Sequence, residues 1–362
     1  MRLLVLGAGA VGGYLGVELG LGGADVAFVG RPALAQAIRS QGLTLQDGAT
    51  TRRLPPSAAF DRLEAALAAQ VPDAILLTIK AYDLNETTAE LAAAAGALPV
   101  VSFLNGVGAE AVLTEALGAQ RVVAATVTSA VERSGPSVIR LARRRGVGLQ
   151  AGPPIAGELA GRFRDSGLTC RLYANPDSMK WSKLLANLMG GTVPALTGLT
   201  VDQVYAHAGL FHLERAALLE ALAVMTALKL PVENLPGAPM RWLAAFLRLP
   251  TGISQPLLRR VAAGGRGGKR PSLYWDIQRG RTEIEWLNGA VTAAGGRLAM
   301  ATPANRVLTD AIEQFAQTDG DRSKLALAPA GLLRRAAQQG VAGLSGYNRP
   351  GPGSAGVSGE TG

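Results

Sequence analysis

The chain has 362 residues and a formal net charge of +9, enough length to bury a large core and to favour two domains over one. The lone Cys170 excludes an intramolecular disulfide framework and fits a reducing cytoplasm, and with only His207 and His212 beside it no metal site is expected. The charge raises nucleic acid as a partner, but the arginines at 143–145, 259–270 and 334–335 carry no interleaved aromatics and no nucleic-acid motif, so a positive field for anionic small molecules is the better reading.

In chain order, Arg2–Leu6 is a short apolar run of the kind that forms a buried parallel strand. Gly7-Ala8-Gly9-Ala10-Val11-Gly12 follows at once, and Val11–Leu21 has the spacing of an amphipathic helix. Strand, GxGxxG and helix together predict a dinucleotide-binding turn. Gly7 permits the tight turn, Gly9 lets the backbone approach a pyrophosphate, and Gly12 lets the helix pack on the strand, with free N–H groups at the helix start. The run Leu3–Val17 is glycine-rich, closed by Glu18 and lacks a small-residue cleavage site, so it reads as neither membrane span nor signal peptide. Asp25–Val29 predicts the second strand, which ends Val29-Gly30-Arg31 without the acid that would bind a ribose 2′-OH. Arg31 can pair with a 2′-phosphate, which favours NADP(H), or stand as a solvated loop residue.

Strands at Ala74–Ile79, Val100–Leu104 and Arg121–Thr128 alternate with helices near 61–70, 84–95 and 109–117, which predicts an α/β Rossmann domain with a doubly wound parallel sheet. Lys80 and Asn105-Gly106 follow two of those strands, where ligands of open sheets bind, although Asn-Gly is also an ordinary turn signal. From about Ser178 the period becomes helical, with apolar faces over Met179–Met189, Leu210–Leu228, Leu273–Ala293 and Pro303–Phe315. The expected domains are therefore an NADP-binding unit over 1–175, a mostly α-helical substrate and catalytic unit over 176–340, and a disordered glycine-rich tail over 341–362. Residues 231–271 read as an irregular linker with a basic glycine loop at 264–269. The apolar helices of the second domain are compatible with a homodimer.

Six lysines stand against thirty arginines, and two of the six, Lys180 and Lys183, fall in one segment. Lys183 and Asn187 share a helix face, where Lys183 is either a proton donor held among apolar groups or a snorkelling surface residue. Further on, Glu283 follows Arg279 at i,i+4 spacing in Asp276–Gly289.

These residues together resemble the ketopantoate reductases (2-dehydropantoate 2-reductases) along roughly the first 320 residues. The motifs that carry the resemblance are Gly7–Gly12, Phe103–Gly108, Trp181–Asn187, Asp276–Gly289 with its Gly-Arg-Thr-Glu-Ile-Glu core, and Thr302-Pro303-Ala304-Asn305. The resemblance implies NADPH-dependent reduction of 2-dehydropantoate to pantoate, in the pathway to pantothenate and coenzyme A. It implies Lys183 as general acid, Glu283 as its orienting partner on a substrate hydroxyl, and Asn105 and Asn187 as hydrogen-bonding groups. Ser272 would meet the substrate carboxylate, Lys80 would lie close to the nicotinamide, and Arg31 would hold the 2′-phosphate. Residues of both domains would meet across a cleft. Two departures put the particular 2-oxo acid in doubt: Gly191 stands where the family often has asparagine, and Pro271 precedes Ser272 where the family has a serine pair. A reductase of a related 2-oxo acid and a non-catalytic NADP(H) sensor are the alternatives, and the second leaves the joint presence of Lys183, Asn187, Ser272 and Glu283 unexplained.

Overall fold

The computed structural model describes residues 1–266, 270–318 and 325–348, with only the backbone of 262–266. The chain folds into two compact units, Met1–Asn187 with Leu228–Leu243, and Leu188–Ala227 with the described residues from Ala244 on. Each is described by itself.

The first unit contains, in order, β1 (Arg2–Leu6), α1 (Ala10–Leu21), β2 (Asp25–Val29), α2 (Pro32–Gln41), β3 (Leu43–Asp47), β4 (Thr50–Leu54), β5 (Ala59–Phe60), α3 (Leu63–Ala69) and β6 (Ala74–Leu77). It continues with α4 (Leu84–Ala94), β7 (Val100–Ser102), α5 (Ala109–Leu117), β8 (Val122–Val127), β9 (Ala130–Arg133), β10 (Val138–Arg143), β11 (Gly146–Gln150), α6 (Pro154–Asp165), β12 (Thr169–Tyr173) and α7 (Pro176–Leu188). The main sheet runs β12-β11-β8-β7-β6-β1-β2-β5. From β5 through β8 every pairing is parallel, which is the Rossmann order with its reversal between β1 and β6. Continuous apolar strands such as Ala74–Leu77, buried throughout, are what a sheet covered on both faces requires. The sheet is not parallel to its end, because β11 joins β8 antiparallel and β12, parallel to β11, keeps that reversed direction.

A second sheet, ordered β4-β3-β10-β9, was not foreseen. Its strands are short, with two alternating buried apolar residues in β3 and in β10 and one in Thr50-Thr51-Arg52-Arg53-Leu54, so each gives only a brief period. It lies on the outer side of α1 and corrects the amphipathic reading of that helix. A side-chain carbon at Gly16 would meet the Phe28 ring at 2.3 Å on the main-sheet side, and one at Gly20 would meet Leu54 at 2.6 Å on the other. The helix is thus apolar on nearly every side because it is packed on both. Its one buried charge, Glu18, is fully inaccessible and accepts from Arg52 Nη1 at 2.9 Å and from Arg144 Nη2 at 2.8 Å. Arg144 also reaches Asp47 at 3.1 Å, so part of the basic cluster at 143–145 serves the fold.

The second unit is helical: α8 (Thr192–Thr197), α9 (Val201–Ala206), α10 (Ala208–Ala227), most of α11 (Met240–Arg248), α12 (Thr251–Arg266), α13 (Ser272–Gln278), α14 (Asn288–Arg297), α15 (Pro303–Gln317) and α16 (Pro329–Gln338). A capping box between Thr200 and Gln203 starts α9, and prolines at the first helical turn start α15 and α16.

Three expectations need correction. Residues 231–271 are mostly ordered as α11 and α12, with Gly264–Arg266 inside α12, while 267–269 lie outside the described residues. The single helix expected over 273–293 is broken into α13, a 3-10 turn at Ile284–Trp286, and α14. Gly280 has φ +70°, a left-handed value that ends α13, so Arg279 and Glu283 share no helix face, and Arg279 instead approaches Asp276 at 3.6 Å. The expected tail begins with packed structure, since Val341 and Leu344 are buried and a 3-10 turn spans Ser345–Asn348; positions 349–362 lie outside the described residues. Among the described residues no helix is long and apolar enough to cross a membrane.

Candidate active site

The glycine loop closes β1 against β2 and β6. Gly7 and Ala8 both donate to Val29 O at 3.0 Å, and Thr78 Oγ1 donates to Gly7 O at 2.8 Å. Gly7 has φ +102°, and a Cβ there would lie 2.7 Å from Ile79 N. At Gly12 a Cβ would lie 2.4 Å from Gly7 O and from Thr78 Oγ1. Both glycines are therefore demanded by protein packing. Gly9 is not, because its Cβ would meet only Gly7 O at 3.9 Å. The backbone at Gly9 is open to close approach, and the residues present fit a dinucleotide phosphate there. Ala10 and Val11 begin α1, whose first N–H groups have no helical acceptor.

The same loop is also held from the second sheet. Arg133, the last residue of β9, donates through Nη2 to Ala8 O and, at 2.9 Å, to Gly9 O, while Nη1 donates to Pro136 O. No motif announces this residue, which is 124 positions from Gly9. Only the neighbouring β hairpin, once its strands are known, makes it findable.

β1, β6 and β7 are adjacent and in register, Leu6 beside Leu77 and Leu77 beside Ser102. Gly7, Lys80 and Asn105 therefore all lie beyond one carboxyl edge, next to the strand-order reversal. Lys80 caps a 3-10 turn, Ala81–Asp83, and is half-buried. Arg31 stands two residues past β2 at the start of α2 and is exposed. Gly106 and Gly108, with φ +84° and +108°, turn the chain sharply between Asn105 and α5.

Helix α7 is tied to this edge. Asn187 Nδ2 donates to Asn105 Oδ1 at 3.4 Å, a long bond that still brings two of the expected site residues together. Lys183, one turn earlier, is half-buried between the buried Trp181, Leu184 and Leu185. Lys180 is the deeper lysine: its ammonium donates to Leu104 O at 2.6 Å and pairs with Glu110 at 2.7 Å, and Ser102 Oγ also donates to Glu110 at 2.8 Å. Lys180 thus secures the residue before Asn105, and its structural part was not foreseen. Ser182 is fully buried and accepts from Glu233 N at 2.7 Å, so it too belongs to the fold.

In the second unit, Ser272 is the exposed first residue of α13, and Glu283 is buried in the turn before Ile284–Trp286. Gly191 caps the start of α8. The later motif residues form a buried network. Thr192 Oγ1 donates to Asn288 Oδ1 at 2.7 Å, and Asn288 Nδ2 donates to Asn305 Oδ1 at 2.9 Å. Glu220 accepts from the backbone N–H groups of Ala304 and Asn305 at 2.8 and 2.9 Å and from Asn305 Nδ2 at 2.7 Å. Burial raises the Glu220 carboxyl above its ordinary value against those hydrogen bonds. Thr302–Asn305 is accordingly a cap on α15 joined to α10.

A glycine turn at the reversal of a Rossmann sheet, with a lysine and two amides on one edge, has the architecture of a dinucleotide-dependent enzyme. Residues 3–153 match the family model "Ketopantoate reductase PanE/ApbA", and residues 175–316 match "Ketopantoate reductase PanE/ApbA C terminal". The chain belongs to the ketopantoate reductase family and is a pyridine-nucleotide-dependent oxidoreductase. It is 30% identical over 333 residues to the 2-dehydropantoate 2-reductase of Mesorhizobium japonicum, covering 84% of this chain and 94% of that one. A crystal structure of a family member from Ralstonia eutropha is similar at a TM-score of 0.74 and 26% identity, covering 87% of this chain and 98% of that one. The fold is shared with a D-mandelate dehydrogenase solved with NADH and anilino(oxo)acetate, at a TM-score of 0.73 and 21% identity over 87% and 98% of the two chains.

Proposed function

We propose that this enzyme reduces 2-dehydropantoate to pantoate with NADPH, and that Lys183 is the general acid. The observation that carries the reading is the conjunction of family membership with Lys183 and Asn187 on one face of α7, Asn187 in contact with Asn105 at the ligand edge of the sheet. Gly7–Gly12 would hold the pyrophosphate, Arg31 the 2′-phosphate and Lys80 the nicotinamide end. The cofactor, when bound, supplies hydride. The Lys183 ammonium stabilises negative charge growing on the substrate carbonyl oxygen and donates the proton that makes it a hydroxyl. Asn105 and Asn187 direct that oxygen towards Lys183. Ser272 would bind the carboxylate, and Glu283 would accept from the substrate hydroxyl. The enzyme works in the cytoplasm, within pantothenate synthesis, and as a homodimer, which equilibrium sedimentation tests.

The test is NADPH oxidation followed by absorbance with ketopantoate, beside 2-oxoisovalerate, pyruvate and NADH. Turnover with ketopantoate and NADPH is expected, and Lys183→Ala is expected to lower it on the order of 10²-fold while NADPH binding persists. Turnover with another 2-oxo acid alone would keep the chemistry and move the substrate, with Gly191 the first position to change. Unaltered turnover in Lys183→Ala would remove the acid from this residue.

A further inference from the structure

Each peptide of the glycine loop is planar and trans, so the direction of a carbonyl sets the direction of the amide that follows it. The Arg133 guanidinium takes the carbonyls of Ala8 and Gly9 together, and Gly9 O also accepts the first helical bond, from Gly13 N at 2.9 Å. Those carbonyls face β9; the Gly9 amide folds back to donate to Gly7 O at 2.6 Å, and the Ala10 amide is turned to the opposite side of the loop. Arg133 is itself fixed. Its other terminal nitrogen donates to Pro136 O, and a Cβ at Gly13 would come within 2.9 Å of its Nη2. Burial pulls its pKa down to about 10, so the group stays protonated at neutral pH. A cation held against this loop also attracts the negative charge of a pyrophosphate on the loop's far face, which a neutral side chain does not.

We propose that Arg133 is a positioning residue for the dinucleotide: by holding the Ala8 and Gly9 carbonyls it sets the orientation of the Gly9–Ala10 peptide, so that the Ala10 amide is already aimed when the pyrophosphate arrives. It touches neither substrate nor the reacting atoms. Preorganised donors bind an anion without the cost of ordering them, so the residue acts on cofactor affinity and leaves the handling of the 2-oxo acid alone. Two parallel N–H groups of a planar fork serve two carbonyls at once, whereas an ammonium is a point donor. The inference rests on the dinucleotide reading of Gly7–Gly12.

The experiment compares wild type, Arg133→Met and Arg133→Lys by nicotinamide fluorescence titration with NADPH and with NADH, by steady-state kinetics, and by thermal melting. Arg133→Met is expected to raise the Kd and KM for the preferred dinucleotide about tenfold or more, since one charge-assisted contact is worth about that factor. The KM for the 2-oxo acid is expected to stay within about twofold of wild type on the same reasoning. Arg133→Lys, which keeps the charge and one of the two contacts, is expected to fall between. A dinucleotide Kd in both variants equal to wild type, with only the melting temperature lowered, would overturn the proposal and leave the cofactor reading intact. Should Arg133→Met fail to fold, the Arg133→Lys titration decides alone, and a Kd equal to wild type there overturns it. Wild type that binds neither dinucleotide would overturn the cofactor reading and this inference with it.

Discussion

A methyl group at Gly12 would lie 2.4 Å from the Gly7 carbonyl oxygen, whereas one at Gly9 would meet that same oxygen only at 3.9 Å. The two alanine variants should therefore separate folding from binding. Gly12→Ala is expected to lower both the melting temperature and NADPH affinity, and Gly9→Ala to lower affinity with little change in melting. Equal melting losses in both would show that Gly9 is a packing residue after all. The two lysines of α7 divide in a comparable way. Lys180→Met leaves Glu110 without its ammonium in a largely buried place, a change worth about 3 kcal/mol at urea unfolding, whereas Lys183→Met should alter turnover far more than stability. Cys170 is a third residue-scale case. Burial pushes its thiol to about 11, so at neutral and mildly alkaline pH it is almost wholly the unreactive thiol. Its alkylation by iodoacetamide should be slow at pH 8 and rise about tenfold per pH unit until the pH passes that value, as the thiolate fraction does. A rate levelling off near pH 9 would contradict the burial.

At the scale of elements, α1 shows both the reach of sequence reading and its limit. Its start was legible because Gly7 and Gly12 must meet geometric demands that few other residues satisfy. Its environment was not, because β3 and β10 bury only two apolar residues each (Leu43 and Leu45, Ile139 and Leu141) and β4 only Leu54, and no local period reveals which helix they cover. The same holds for the chemistry. Lys183, Asn187 and Asn105 could be singled out by residue type and spacing, whereas Arg133 and Lys180 owe their positions to contacts made across 124 and 76 residues of chain. Helix breaks were missed where a positive φ intervenes, as at Gly280, since an apolar period carries on through it. The sandwiched helix yields a prediction of its own. Glu18→Gln removes the one anion shared by Arg52 and Arg144, and because both arginines keep partial access to water the loss should be on the order of 2 kcal/mol in urea unfolding. Unfolding unchanged by the substitution would mean that hydration fully replaces the ion pairs.

For the whole molecule, the segment from 325 to 348 extends beyond residue 316, where the family match ends. It is nevertheless built into the second unit. Leu332 and Leu333 are fully buried, Val341 and Leu344 nearly so, Leu327 N donates to Leu196 O at 2.8 Å, and His212 Nε2 lies 2.7 Å from Ala342 O. A chain ending at Gln317 strips away four such side chains, each worth ~1.5–3 kcal/mol when buried, and should unfold at much lower urea or aggregate. Coincident unfolding curves would show the segment to be dispensable. The first unit has a comparable dependence on distant chain. Residues 228–243 return to it, with Glu233 N on Ser182 Oγ, Tyr173 Oη donating to Asn234 O at 2.8 Å, and Thr128 Oγ1 to Pro236 O at 2.7 Å. The backbone consequently passes between the units three times, at 187/188, 227/228 and 243/244. Gene rearrangement moves contiguous stretches of coding sequence, and no contiguous stretch here encodes a complete nucleotide unit without part of its companion. The pair is therefore inherited as one cassette. A lineage can retune either half by substitution, but cannot lend the nucleotide unit to a new partner by fusion alone.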